Sequence, residues 1–264
     1  MSGLNSYWTM TRHAARPPVQ TLAAEWPKFT APLVLVPGLW CGATAWHRSM
    51  GYFAHRGWTC HALDLWGDRR PASLAEWHAA VQEAVRCCDA PPVLVGHDLG
   101  GLLVLHGAIT ELRAVVALAP LVPRVLARRG HPAMAGWSAW WALRRGAAVA
   151  APAGPRAKQY FADGVPGGTV PEPAAVFSGL AQLPPLRPTR HPTLIVAGEH
   201  DTVCPPDEVA GFAQLLGAQF RVAPGAGHAL PWEAGWEDRV HMIHRWLVQT
   251  LGEPLLATLD AEDP

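Results

Sequence analysis

Short apolar runs alternate along the chain with longer segments of helical periodicity. The runs are rich in Val, Leu, Ala and Ile, which is typical of strands buried on both faces of a parallel sheet. They predict strands at residues 33–36, 58–63, 93–95, 113–119, 193–197 and 219–223, preceded by two short leading strands at 7–10 and 19–22. Helical patterns occupy residues 44–55, 74–88, 102–109, 206–216 and 236–251. The alternation predicts an α/β fold, with a mostly parallel, doubly wound sheet and helices on both faces.

The alternation stops between residues 121 and 191. This segment is rich in Pro and Gly and contains a cluster of tryptophans. A long stretch without predicted strands, placed directly after a strand end, is typical of an inserted lid. We therefore predict a core built from residues 1–120 and 192–264, with residues 121–191 forming an inserted helical lid subdomain.

One predicted strand runs directly into a sharp Gly-His-Asp-Leu-Gly-Gly turn at residues 96–101. The glycines at 96 and 100 suit a tight turn whose middle residue has to take strained backbone angles. A Cβ two places away from that residue would collide with the following helix. Such a turn presents one side chain. Here that side chain is the carboxylate of Asp98.

Two further polar side chains follow predicted strands. Asp201 comes after the strand at 193–197, and His228 comes after the strand at 219–223. In open parallel sheets the ligand crevice lies at the carboxyl ends of the strands. We therefore expect Asp98, Asp201 and His228 to meet at one edge of the sheet.

The order of these three residues is that of the nucleophile, acid and histidine in α/β-hydrolases. From about Leu33 to Leu251 the sequence resembles the α/β-hydrolase fold superfamily. Most of that superfamily has Ser in the turn, whereas Asp98 resembles the Asp-nucleophile branch: the epoxide hydrolases and, less closely, the haloalkane and haloacetate dehalogenases. The resemblance implies the α/β-hydrolase fold with a lid and a catalytic triad of Asp98, His228 and Asp201.

An Asp in the turn changes which electrophile the site attacks. A carboxylate is a competent nucleophile toward an alkyl carbon with a strained or good leaving group, and the product is an ester of Asp98. His228, oriented by Asp201, would then activate water to hydrolyse that ester. The resemblance implies an oxyanion hole from the backbone N–H groups of Leu39 and Leu99. We predict a cofactor-free hydrolase that needs no metal.

The sequence defines the electrophilic group of the substrate less closely than it defines the triad. Alkyl dehalogenases usually carry Trp directly after the nucleophile, where this chain has Leu99, and epoxide hydrolases use a pair of lid tyrosines, where the predicted lid has Tyr160 alone. We predict epoxide hydrolysis, with Tyr160 as the candidate proton donor. The alternatives are a carbon–halogen dehalogenase, an ester or lactone hydrolase, a non-hydrolytic cyclase or isomerase, and a non-catalytic ligand-binding protein.

Four tryptophans are candidates for substrate binding: Trp40, just past the predicted oxyanion segment, and Trp137, Trp140 and Trp141 in the predicted lid. Aromatic rings would equally well pack the lid against the core. The apolar lid favours a bulky hydrophobic or aromatic substrate, such as a secondary metabolite.

Three neighbouring residues have simpler interpretations. Glu199 is an alternative to Asp201 as the acid. His97, beside the nucleophile, is expected to pack under the turn in a structural role. Cys204 is a poor nucleophile candidate, because the histidine that would activate it is already assigned.

The composition limits the classes of partner that the protein is expected to bind. Lys plus Arg and Asp plus Glu are equal at 21 each, so there is no basic field for nucleic acid. The five cysteines follow no metal-ligand spacing, which favours reduced thiols and a cytoplasmic location. Residues 1–16 have no apolar segment of the kind a secretory leader contains, and no run reaches 18 apolar residues, so we expect neither secretion nor a membrane span. The oligomeric state is left open.

Overall fold

The computed structural model describes residues 9–10, 19–65, 70–106, 111–123, 141–142, 144–180, 183 and 186–252. The strands in this part of the chain are β1 (Thr9–Met10), β2 (Val19–Leu22), β3 (Leu33–Val36), β4 (Cys60–Leu63), β5 (Val93–His97), β6 (Ala114–Leu118), β7 (Thr193–Gly198) and β8 (Gln219–Ala223). They form one sheet in the order β1-β2-β4-β3-β5-β6-β7-β8. Strand β2 pairs antiparallel with β1 and β4, and the pairs from β4 to β8 are parallel. The predicted mostly parallel sheet is confirmed.

The helices are α1 (His47–His55), α2 (Leu74–Arg86), α3 (Leu99–Leu105), α4 (Pro155–Phe161), α5 (Ala174–Leu180), α6 (Pro206–Leu216) and α7 (Trp236–Leu251), with a 3₁₀ turn at Ala43–Trp46 before α1. Helix α2 begins where its sequence predicts, because the Ser73 hydroxyl accepts a hydrogen bond from the Glu76 N–H at 3.3 Å. None of the helices in the described residues has the length and apolarity needed to cross a membrane.

Side chains on the two faces of the sheet enter two separate cores. Val34 and Val36 of β3 pack in one cluster with side chains of α2, α3 and α6. Leu33 and Leu35 point the other way and pack in a second cluster with α1 and α7. This alternation along a strand buried on both faces is what places helices on either side. The doubly wound arrangement is therefore confirmed.

Helix α3 differs from its prediction. We expected a helix at residues 102–109, but α3 begins at Leu99 and ends at Leu105. Asp98 completes the turn in a single residue with positive φ, so the helix begins at the next position. Residues 107–110 lie outside the described part of the chain.

Residues 144–180, which we call the insert, lie between β6 and β7. The insert contains α4 and α5, and one isolated antiparallel β-bridge joins Val149 to Glu172. The sequence predicted no extended pairing here. The bridge closes a loop around α4 and, as shown below, brings Glu172 into the protein interior.

Candidate active site

Asp98 lies at the apex of the turn between β5 and α3. Its backbone angles, φ 53° and ψ −115°, are rarely adopted by residues other than Gly. A Cβ on Gly96 would collide with the backbone of Gly100, and a Cβ on Gly100 would collide with the backbone of Val36. The two glycines therefore allow β3, β5 and α3 to approach closely around one strained residue.

We expect Gly100→Ala to destabilise the fold by about 1–3 kcal/mol, because its Cβ cannot fit without moving the end of β3. Gly211→Ala is the matched control. Gly211 lies in α6, and a Cβ there would meet nothing within 4 Å, so about 0.5–1 kcal/mol of stabilisation is expected. Urea unfolding of both variants measures the difference. Equal stabilities would contradict the close approach at the turn.

The Asp98 carboxylate is held by the loop after β3. The Leu39 N–H donates a hydrogen bond to Asp98 Oδ2 at 2.9 Å. Gly38 makes this possible, since a Cβ there would lie only 2.8 Å from the Cβ of Asp98. Leu99 is the first residue of α3, so its N–H is one of the four that have no acceptor within the helix. Both residues predicted as oxyanion donors thus adjoin Asp98.

His228 and Asp201 complete a line of three buried side chains. His228 Nε2 lies 3.5 Å from Asp98 Oδ1, and its Nδ1 lies 2.8 Å from Asp201 Oδ2. Asp201 Oδ1 accepts from the backbone N–H groups of Val203 at 2.8 Å and Cys204 at 2.9 Å. With both oxygens engaged, the Asp201 carboxylate holds the imidazole in one orientation.

Asp201, and not Glu199, is the carboxylate that bonds to His228. The Glu199 side chain is 51% exposed. It accepts a hydrogen bond from the Gly225 N–H at 2.7 Å and so stabilises the loop that precedes His228. Glu199, the alternative acid considered from the sequence, therefore binds the loop backbone and not His228.

Two carboxylates flank His228 and favour its protonated form. Burial alone would lower the pKa of His228, but the charge of Asp201 and the neighbouring Asp98 and Cys204 side chains raise that pKa well above its usual value. The positive charge of the His228 imidazolium therefore depends in part on the negative charge of Asp98. Neutralising Asp98 lowers the pKa of His228.

His97 supports the loop that carries His228. Its ring is buried, and its Nε2 lies 2.8 Å from the His228 carbonyl oxygen. Because a carbonyl only accepts, Nε2 carries the hydrogen of this ring. Burial and the neighbouring His228 lower the pKa of His97 to about 4, so the ring is neutral. This position agrees with the structural role expected from the sequence.

Cys204 is closer to the site than the sequence indicated. Ligand atoms of Asp201, Cys204 and His228 lie within 4.8 Å of one another, a spacing compatible with a metal ion. Burial raises the pKa of the Cys204 thiol to about 12, so it is protonated. Both Asp201 oxygens already accept hydrogen bonds from protein groups. The Cys204 thiol thus lies uncharged beside the imidazole.

Tyr160 brings the insert to the site. Its ring centroid lies 5.2 Å from that of His228, and its side chain is buried. Burial, reinforced by the charge of Asp98, raises the pKa of Tyr160 well above its usual value, so the phenol keeps its proton. Trp40 meets Tyr160 edge to face at 5.6 Å. The Trp40 side chain is fully buried, and its indole N–H donates to the Val149 carbonyl at 3.0 Å.

The predicted lid tryptophans are only partly accounted for. Trp141 lies at the surface, with 43% of it exposed and the Arg145 guanidinium 4.9 Å above its ring. Trp137 and Trp140 lie outside the described residues.

Aromatic residues that the sequence did not single out surround the site. Phe161 and Phe177 pack against Trp40 with ring centroids 6.3 and 5.9 Å away. Trp232 meets His97 at 5.2 Å and donates its indole N–H to the Phe161 carbonyl at 3.2 Å. Their apolar character predicts burial, but no local pattern indicates which part of the core they enter.

Comparison with known proteins agrees with this architecture. Residues 33–241 match the alpha/beta hydrolase family. No curated protein is similar enough in sequence to match the chain.

Solved structures match over most of their length. A monoacylglycerol lipase from Paleococcus ferrophilus is 18% identical, with 88% of this chain and 99% of that chain covered and a TM-score of 0.65. An esterase from Rhodococcus sp. is 16% identical, with 93% and 100% covered and a TM-score of 0.67. A thermophilic esterase from Thermogutta terrifontis is 19% identical, with 93% and 98% covered and a TM-score of 0.60. At these identities the likeness shows a shared fold, and the family match over 33–241 settles membership: the chain belongs to the alpha/beta hydrolase family.

Proposed function

We propose that the protein is a cofactor-free hydrolase that opens the epoxide of a bulky hydrophobic substrate through a covalent ester of Asp98. The observation that carries this proposal is the geometry of the Asp98 carboxylate. Its Oδ2 accepts from the Leu39 N–H at 2.9 Å, and its Oδ1 lies 3.5 Å from His228 Nε2. A carboxylate anchored through one oxygen is oriented to attack through the other.

In the first step Asp98 Oδ1 attacks a carbon of the strained ring. The new O–C bond forms as the ring C–O bond breaks, and the electron pair goes to the ring oxygen. That oxygen takes the phenolic proton of Tyr160, which is protonated because burial and Asp98 raise its pKa. As a carboxylate, Asp98 needs no base for this step.

Formation of the ester changes the charge of His228. The negative charge of Asp98 disappears, so the pKa of His228 falls. The imidazolium returns a proton to the Tyr160 phenolate and becomes a neutral base, still oriented by Asp201. The first step thereby prepares the base that the second step requires.

In the second step His228 takes a proton from water, and the resulting hydroxide attacks Asp98 Cγ. Negative charge develops on Oδ2, which the N–H groups of Leu39 and Leu99 stabilise. The tetrahedral intermediate then collapses. The Cγ–Oδ1 bond breaks, so the alcohol leaves with the former Oδ1 atom and takes the proton from His228. The carboxylic acid that remains at Asp98 then gives its proton to His228. The product is a diol, and one water oxygen stays in Asp98.

The residues around the site favour an apolar substrate. Trp40, Tyr160, Phe161 and Phe177 pack together where the insert meets the core. We propose that residues 121–191 act as the lid of this site and exclude water from the first step.

Carbon–halogen hydrolysis is less well supported. A departing halide needs N–H donors, and Leu99 supplies no side-chain donor beside the nucleophile. The indole N–H groups of Trp40 and Trp232 are bonded to the carbonyls of Val149 and Phe161.

Ester hydrolysis is the second candidate, because the structures with the same fold include esterases and a lipase. In that case Asp98 would act as a base on water, since attack on an acyl carbon would give an anhydride. The two candidates differ in whether an oxygen of water enters Asp98.

A substrate panel of styrene oxide, p-nitrophenyl butyrate and 1-bromobutane tests the assignment. We expect conversion of styrene oxide to its diol, with the ester and the haloalkane much poorer substrates. Cleavage of the ester alone would overturn epoxide hydrolysis and favour the second candidate.

Tyr160→Phe is expected to lower kcat for styrene oxide by about 10²–10⁴-fold, the contribution of one positioned general acid. Tyr52→Phe is the matched control, because the Tyr52 hydroxyl bonds to His241 at the exposed surface. Steady-state rates of the two variants decide the role of Tyr160. Equal rates in both variants would remove it from the mechanism.

A further inference from the structure

Trp40, one residue after Leu39, is hydrogen-bonded to the insert. The Trp40 N–H donates to Glu172 Oε1 at 2.7 Å, and the Trp40 carbonyl accepts from the Val170 N–H at 3.0 Å. The indole N–H donates to the Val149 carbonyl at 3.0 Å. All three polar groups of Trp40 are therefore bonded to the insert.

The backbone of Trp40 is in an uncommon conformation. Its φ is 59°, in the left-handed region that bulky residues rarely adopt. Such a residue keeps that conformation only where its surroundings fix it. The hydrogen bonds to the insert provide this constraint one residue after Leu39.

Glu172 itself is a fully buried carboxylate that pairs with the guanidinium of Arg70, whose side chain is 5% exposed. Arg70 also donates to the carbonyls of Cys41 at 2.7 Å and Leu65 at 3.0 Å. The pair thus contacts two successive residues of the loop, Trp40 through Glu172 and Cys41 through Arg70.

A gain in stability alone does not explain this arrangement. Taking two charges out of water is costly, and apolar side chains of similar volume often stabilise a core as well as a buried ion pair. An ion pair does supply directional hydrogen bonds to the loop backbone, which an apolar pair cannot.

We propose that Glu172 and Arg70 are positioning residues that hold residues 38–41 so that the Leu39 N–H points at the Asp98 carboxylate. The insert therefore has to be docked before this donor is in place. The kinetic consequence rests on the proposed function: the donor stabilises the oxyanion that forms when the ester of Asp98 is hydrolysed.

The two chemical steps should respond differently to loss of the pair. In the attack step the Leu39 donor only orients the Asp98 carboxylate, whose negative charge decreases as the ester forms. In ester hydrolysis the same donor has to stabilise the negative charge that develops on Oδ2. Loosening residues 38–41 should slow ester hydrolysis on the order of 10–100-fold and leave ester formation nearly unchanged. The ester should then accumulate during turnover. A merely structural role would slow both steps together.

The test uses the double variant Glu172→Leu with Arg70→Met, which removes both charges and keeps much of the volume. Single turnovers of styrene oxide, quenched and followed by mass spectrometry of the peptide containing Asp98, give the two rates separately. Glu83→Gln is the control, since Glu83 pairs with Arg86 on the surface of α2. Accumulation of ester in the double variant alone supports the proposal, and unchanged hydrolysis overturns it.

Amide hydrogen exchange of residues 38–41 tests the positioning without a substrate. We expect exchange at least about tenfold faster in the double variant, with β3 and β5 unchanged, and equal exchange would overturn the proposal. If styrene oxide never modifies Asp98 even in His228→Gln, the proposed function fails while the exchange result still decides the role of the pair. Should the double variant not fold, Glu172→Gln, which keeps the side-chain volume and removes the charge that pairs with Arg70, is expected to raise the same exchange more modestly, and no rise overturns the proposal.

Discussion

Replacing His228 with Gln is expected to trap Asp98 as its ester. Gln cannot take a proton from water, so hydrolysis should fall by about 10²–10⁴-fold while attack by the Asp98 carboxylate continues. After exposure to styrene oxide, the peptide that contains Asp98 should gain the mass of one epoxide molecule. The ester should form with a burst of one equivalent per protein.

His244→Gln is the matched control for this experiment. His244 is half-buried in α7 and accepts a hydrogen bond from the Trp58 indole at 3.2 Å, away from the site. This variant should turn over normally without stable modification. An unmodified Asp98 peptide in His228→Gln, with the epoxide consumed, would mean that no ester forms.

Asp98→Asn should abolish epoxide turnover, with a loss of at least about 10⁴-fold, because a neutral amide is a very poor nucleophile. The substitution keeps the shape of the side chain and an oxygen that can accept from the Leu39 N–H, so the fold should be retained. It also removes the charge that holds the proton of His228, so the pKa of His228 should fall, which NMR titration of the imidazole measures.

Asp163→Asn is the comparison for this variant, since Asp163 is exposed in the insert beside α4. Its rate should stay within about twofold of the unmodified protein. Turnover in Asp98→Asn within tenfold of that control would show that Asp98 is not the nucleophile.

Much of the fold around Asp98 can be predicted from the sequence, because the strands and the turn depend on short-range patterns. Continuous apolar runs such as Leu33–Val36 indicate strands buried on both faces, and parallel strands place their carboxyl ends at one edge. That rule brings together Asp98, Asp201 and His228, which are far apart in the chain. The glycines at 96 and 100 likewise indicate a close approach, because only a residue without a Cβ fits there.

Contacts between distant loops could not be predicted in this way. Glu172 and Trp40 are 132 residues apart and belong to no common periodicity. Nothing near Arg70 indicates a buried partner, since Arg is ordinarily exposed. Cys204 approaches His228 only because the loop after β7 bends around the Asp201 carboxylate. The early start of α3 depends on the positive φ of Asp98, which a helical pattern does not reveal.

A single turnover in ¹⁸O-labelled water distinguishes a covalent ester of Asp98 from direct attack of water on the substrate. With the protein in excess over styrene oxide, water opens the ester of Asp98 at its carbonyl carbon. The covalent mechanism therefore predicts one ¹⁸O atom in the peptide that contains Asp98 and unlabelled oxygen in the first diol formed. Diol that carries the label while Asp98 stays unlabelled would show that water attacks the substrate directly, and it would contradict the covalent mechanism.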